Sequence, residues 1–118
     1  MPRNCAMPAL SETNLRAMMT SHVGVIREGE GLAEAVRAFA SLERDTGNIA
    51  LRNMATAALL VAASALNRRE SRGAHYRSDC PAERPAAARR TMTTLLQARD
   101  IAEALDEPAR RIARPMMA

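Results

Sequence analysis

The amino-acid sequence predicts an all-α fold: a three-helix up-down-up bundle with an extended C-terminal arm and a short extra helix. Three observations point there. Apolar residues make up 47% of the 118, yet Trp is absent and there is one Phe and one Tyr, so the core has to be built from Ala, Leu, Met, Val and Ile. That mixture loses little on entering a helix, whereas strands favour β-branched and aromatic side chains. Apolar residues also recur at helical spacing in three successive segments, each followed by a break rich in Gly, Asp or Asn. The chain length allows one domain with a modest core.

Residues 1–9, with Pro2 and Pro8, read as a linker. The first helix, about 11–25, begins at Ser11, whose hydroxyl suits a cap, with Leu10 as a staple before it. Leu15, Met18, Met19 and His22 share its apolar face; Gly24 weakens the helix, and Gly29 and Gly31 end it. In the second helix, about 30–45, Leu32, Val36, Phe39 and Leu42 to Glu43 trace one stripe, and Asp45 to Asn48 give a stop and a restart. The third helix, about 48–72, is apolar nearly all round, with Leu51, Met54, Ala58, Leu59, Ala62 and Leu66 along its main stripe. Such a helix packs on more than one side, which makes it the central member. Gly73 is expected in the left-handed position just past its end. Residues 10–79 then form the bundle, and residues 80–118 form the arm. That arm holds a short helix at about 94–106, capped by Thr93 or Thr94 and ended or interrupted by Pro108, then a frayed tail.

All 17 basic residues are Arg, and the excess of +4 lies in residues 68–118. Arg forks suit phosphate, but aromatic side chains able to stack on bases are almost lacking and no nucleic-acid module is recognisable, so the richness in Arg reads as a genome-wide replacement of Lys. Cys5 and Cys80 are isolated and read as free thiols of a reducing cytoplasm. The strongly apolar run from Met54 to Leu66 is too short to span a bilayer, and the first ten residues lack a signal-peptide pattern, so a soluble cytoplasmic protein is expected. His22 and His75 stand without Cys or carboxylate at ligand spacing, so no metal is expected. His22 reads as a half-buried residue of the first helix. No Gly-x-Gly-x-x-Gly follows a strand, so no cofactor-binding residue is expected either.

The most informative stretch is ESRGAHYRSD, residues 70–79. Glu70 and Asp79 are near enough in sequence to compensate Arg72 and Arg77, while Gly73 turns His75, Tyr76 and Arg77 out as a polar arm. Arg, Tyr and His offer donors and flat area suited to another protein surface. The sharper alternative is a catalytic His75 oriented by Asp79, but no nucleophile accompanies it.

This stretch resembles the signature near the C-terminus of the L-aspartate oxidases, and a close variant occurs in the wider succinate dehydrogenase/fumarate reductase flavoprotein family. HVGVIR at 22–27 with Gly31 and Leu32 looks like the family's first C-terminal helix and its exit, and LRNM at 51–54 opens the helix leading to the signature. The resemblance spans roughly residues 12–80. It implies the non-catalytic C-terminal helical domain of an FAD-dependent enzyme that oxidises L-aspartate to iminoaspartate, toward quinolinate and NAD. Flavin and substrate contacts would belong to other domains, so no catalytic residue is carried over. The implied partner is the flavin-binding domain of the same enzyme, met by Arg72, His75, Tyr76, Arg77 and Asp79, and the isolated chain could self-associate through that surface. Cys80 stands where the family more often has an aromatic residue before Pro81. The competing readings are the C-terminal domain of a succinate dehydrogenase or fumarate reductase flavoprotein subunit, and a free-standing helical interaction module.

Overall fold

The computed structural model describes residues 11–113, with side chains through Leu105; the expected linker, the Leu10 staple and the last residues of the tail lie outside it. Among the described residues four helices make the fold all-α: α1 (Glu12–His22), α2 (Gly29–Asp45), α3 (Ile49–Asn67) and α4 (Leu95–Ala113). The remaining elements are short. β1 (Ile26–Arg27) and β2 (Tyr76–Arg77) form a two-residue parallel ladder, and a 3-10 turn spans Pro85–Ala87.

Local chemistry explains most of the boundaries. Ser11 caps α1 by accepting the Asn14 N–H at 3.2 Å, and Asn48 caps α3 by accepting the Leu51 N–H at 2.9 Å. For α4, Thr94 and Gln97 exchange side-chain bonds at 3.1 and 2.9 Å, a capping box. No side chain of Glu28 caps α2; the signature does this instead, as described below.

Three expected boundaries shift. Helix α1 closes at His22, so that Val25 and Ile26, β-branched and content in extended backbone, lead into β1. Gly29 and Gly31 accordingly lie in the first turn of α2 and do not end α1. Helix α3 stops at Asn67, before Arg72, because Arg68 turns to extended backbone (φ −91°, ψ 100°), where its guanidinium and carbonyl serve the signature. The last helix is longer than expected. It continues past Pro108 to Ala113, since a proline forfeits one bond of the helical ladder without forcing its end.

The core is one cluster centred on Leu32, Val36 and Phe39 of α2 and Leu59 of α3, with Leu15 and Val23 at one side and Ala98 and Ala102 of α4 at another. Burying a side chain such as Phe39 completely is worth about 1.5–3 kcal/mol. Helix α3 meets α1, α2 and α4, and its alanines (Ala55, Ala58, Ala62, Ala63, Ala65) are the surface that lets them approach. By length and composition α3 could cross a membrane, its nineteen residues exceeding the apolar run visible in the sequence. In this fold Ala55, Ala58, Leu59, Ala62, Ala63 and Ala65 of that helix are buried in the core, while Ile49 and Val61 are exposed. α4 belongs to the same core: beyond its alanines, Arg99 makes a forked ion pair with buried Glu43 of α2 (2.6 and 3.2 Å).

Candidate functional site

The signature folds back over the end of α3 and ties four parts of the chain together. Arg72 and His75 close a tight turn by exchanging backbone bonds at 2.8 and 3.0 Å, and Gly73 at its tip adopts φ +60°, a left-handed conformation that glycine takes without strain. The chain then runs as β2 beside β1, Ile26 opposite Tyr76 and Arg27 opposite Arg77, and the Ser78 N–H donates to the Arg27 carbonyl at 2.7 Å.

Glu70 is the hub. It has no exposed surface, and it accepts from the guanidiniums of Arg68 and Arg72 (3.1 and 3.3 Å from Arg72) and from the Arg84 N–H at 2.8 Å. Arg72 beside it, then the Arg84 N–H and Arg68, hold its carboxyl down to about 2 against the opposing pull of burial. The same Arg68 donates to the carbonyls of Ala87 (2.9 Å) and Arg89 (2.6 Å), and Arg72 donates to that of Arg84 (3.1 Å), so the arm is strapped to the end of α3.

Arg77 forms a second knot. Its side chain is 4% exposed and donates to the Leu66 carbonyl at 2.6 Å, capping the end of α3. Its fork also grips Asp79 at 2.8 and 3.1 Å. In turn Asp79 accepts the Gly29 N–H at 3.1 Å, a carboxylate at the positive end of α2 that supplies the cap missing from Glu28. The Arg77 guanidinium chiefly, together with the Gly29 N–H, lowers the Asp79 carboxyl below the ordinary carboxylate range. The knot leaves no room at Gly29: a Cβ there would lie 2.7 Å from Asp79 Oδ2 and 2.8 Å from Arg77 Nη2. Beneath it, buried Ser71 accepts the Arg77 N–H at 2.9 Å and donates to the Cys80 carbonyl at 2.8 Å.

His75 bridges Arg27 and the end of α3. Its Nδ1 lies 2.8 Å from Arg27 Nη1 and its Nε2 lies 3.1 Å from the Arg68 carbonyl. Arg27 can only donate, so Nδ1 accepts and the proton sits on Nε2. His75 and Asp79 therefore serve different partners and do not form an acid–base pair. Cys80 is a half-buried free thiol, and among the described residues no His, Cys, Asp and Glu side chains gather in a group able to hold a metal.

Of the five residues singled out for an interface, Arg77 is buried, Arg72 and His75 are partly covered, and Asp79 and Tyr76 are exposed. The pairings of Glu70 with Arg72 and of Asp79 with Arg77 were readable from proximity in the sequence. Arg27, Gly29 and Arg84 were not legible as members of the site. They join it over long sequence separations or through backbone groups, for which local pattern carries no signal. Besides Asp79, the site leaves large apolar side chains facing outward: Val25, Ile26 and Tyr76 are 84%, 68% and 41% exposed at one end of the ladder.

A family model described as the fumarate reductase flavoprotein C-terminal region matches residues 48–106. The chain is 48% identical over 85 residues to the L-aspartate oxidase of Rhodospirillum rubrum, covering 72% of this chain and 31% of that protein. It is 40% identical over 80 residues to an uncharacterised FAD-dependent oxidoreductase of Methanocaldococcus jannaschii (58% and 15%). Identity to the L-aspartate oxidase of Agrobacterium fabrum is 38% over 79 residues (67% and 15%). The chain thus spans less than a third of the length of these relatives. No solved structure matches it significantly.

Proposed function

Because the chain belongs to the fumarate reductase flavoprotein C-terminal family, we propose that it is the non-catalytic C-terminal helical domain of an FAD-dependent L-aspartate oxidase and packs against the flavin-binding domain of that enzyme. The whole enzyme would oxidise L-aspartate to iminoaspartate in the cytoplasm, toward quinolinate and NAD. The observation that carries this reading is the 48% identity to the Rhodospirillum rubrum enzyme over 72% of the chain. The geometry supports a scaffolding role. The charged side chains of the signature are spent on ion pairs and backbone groups, and His75 and Asp79 serve different partners. Nor do the described residues carry a dinucleotide fingerprint for the flavin pyrophosphate: Gly29 and Gly31 open α2 after β1, but no third glycine follows in that helix and Asp79 already accepts the Gly29 N–H. Flavin and aspartate chemistry would belong to the rest of such an enzyme.

In this reading α1, α2 and α3 form an up-down-up bundle, and Arg68 and Glu70 strap residues 84–91 of the arm to it. The flavin-binding domain would meet Tyr76, Ile26 and Val25 together with the exposed edges of Arg72 and Asp79, while His75 and Arg77 hold the ladder rigid behind them. Without that domain, the same surface would favour self-association. Membrane and nucleic acid have no place in the proposal. The name of the matching family model favours one second reading, the C-terminal domain of a fumarate reductase-type flavoprotein subunit.

Co-expression with an FAD-bearing N-terminal piece of an L-aspartate oxidase tests the proposal. A stable complex that retains flavin and reduces it with L-aspartate is expected. Failure to associate would overturn it, and association only with a succinate-oxidising flavoprotein piece would favour the second reading.

A further inference from the structure

A cavity of about 280 Å³ lies between the end of α3 and the arm, and its lining includes Arg68, Arg69, Arg84, Arg89, Ser64 and Thr91. Four arginines line it, and no acidic residue does among the described residues. Arg68 is the fixed wall, its charge met by Glu70 and its fork held by the carbonyls of Ala87 and Arg89. The other three differ from it. The side chains of Arg69, Arg84 and Arg89 are exposed and make no ion pair or hydrogen bond among the described residues. Arg16 and Arg44, by comparison, meet Glu12 and Asp45. Here three uncompensated charges are gathered around one concavity by the Glu70 hub, which binds the Arg84 N–H as well as Arg68. Ser64 and Thr91 also line the cavity, the Thr91 hydroxyl accepting from Arg68 at 3.4 Å.

We propose that this cavity binds a small diphosphate-class anion. Guanidinium forks match phosphate oxygens in pairs, and three unneutralised forks suit an anion carrying about three negative charges better than a single carboxylate. The site differs in kind from a dinucleotide cradle, because it offers side-chain forks where a cradle offers backbone N–H groups, and it is too small for a whole flavin dinucleotide. This inference rests on the cavity alone and stands apart from the flavoprotein reading.

The test is calorimetric titration of the 118-residue chain with inorganic pyrophosphate at fixed ionic strength, with chloride and citrate as comparison anions. Saturable binding with one-to-one stoichiometry is expected, weakened about tenfold or more in Arg84→Gln/Arg89→Gln and unchanged in Arg16→Gln. Neither Arg84 nor Arg89 uses its side chain to hold the fold, so the double variant should melt like the parent. Should it not, Arg69→Gln carries the same comparison. Heat no greater than that of chloride, or equal affinity in the glutamine variants, would overturn the site. Citrate binding as tightly as pyrophosphate would overturn the phosphate assignment.

Discussion

Glu70 concentrates the stability of the signature in one carboxylate, and its titration has a definite sign. Its folded value of about 2 lies below the ordinary 4.5, so the unfolded chain binds the extra proton between those values. The contribution is present in full above about 4.5 and is lost as pH falls toward 2. Melting curves followed by circular dichroism from pH 7 to 2 should show this acid loss in the parent. Glu70→Gln should lower the melting point at neutral pH and flatten the loss, leaving the part due to Asp79 and Asp45, which are lowered in the same direction. An unchanged acid limb in the variant would show that the hub does not act through its charge. Gly29 gives a steric test. Gly29→Ala pushes a methyl group into the fork between Arg77 and Asp79 and should cost about 1–3 kcal/mol in urea unfolding. At Gly47 a Cβ meets nothing within 4 Å and φ is not positive, so Gly47→Ala should be neutral or stabilising by up to about 1 kcal/mol. Little of this was legible at the level of single residues. Arg77 looked like a residue of an outward-facing arm because its partners, the Leu66 carbonyl and Asp79, depend on how the chain folds back.

At the scale of elements, α3 was the easiest to read and carries the largest consequences. Leu59 has no exposed surface, and Leu59→Asp would leave an unpaired charge among Phe39, Val36 and the alanines. That should cost several kcal/mol, enough to unfold a domain of this size, whereas Val61→Asp, at a position 46% exposed on the same helix, should change stability by less than about 1 kcal/mol. Equal helicity and melting behaviour for the two variants would remove α3 from the centre of the fold. Its start was legible because Asn48 caps locally. Its end was not, because the apolar and helix-favouring run continues into Arg68 and Arg69 while competition from Glu70 and the arm stops it at Asn67. The length of α4 was missed for a related reason: Pro108 reads as a stop, yet the helix continues beyond it.

Across the whole molecule, the surface and the core make separable predictions. Ile26→Asp with Tyr76→Asp alters only exposed side chains of the ladder, so the melting point of the chain should change by no more than about 0.5 kcal/mol per site would give. The same pair should abolish association with the flavin-bearing piece, since exposed apolar side chains backed by a rigid frame are what a partner surface buries. Loss of both stability and association together would make this end of the ladder part of the fold instead. The sequence by itself determined the helical class, the cap at Ser11, the restart at Asn48, the stripes of α2 and α3, and the family resemblance carried by residues 70–79. Each of these depends on neighbours within a turn or two of the helix, where spacing and propensity act directly. Only the tertiary structure decided that Asp79 caps α2, that His75 accepts from Arg27 and that Arg68 straps the arm. These bonds join residues far apart in sequence, often through backbone groups that every residue possesses, so nothing in the order of side chains announces them until the chain has closed on itself.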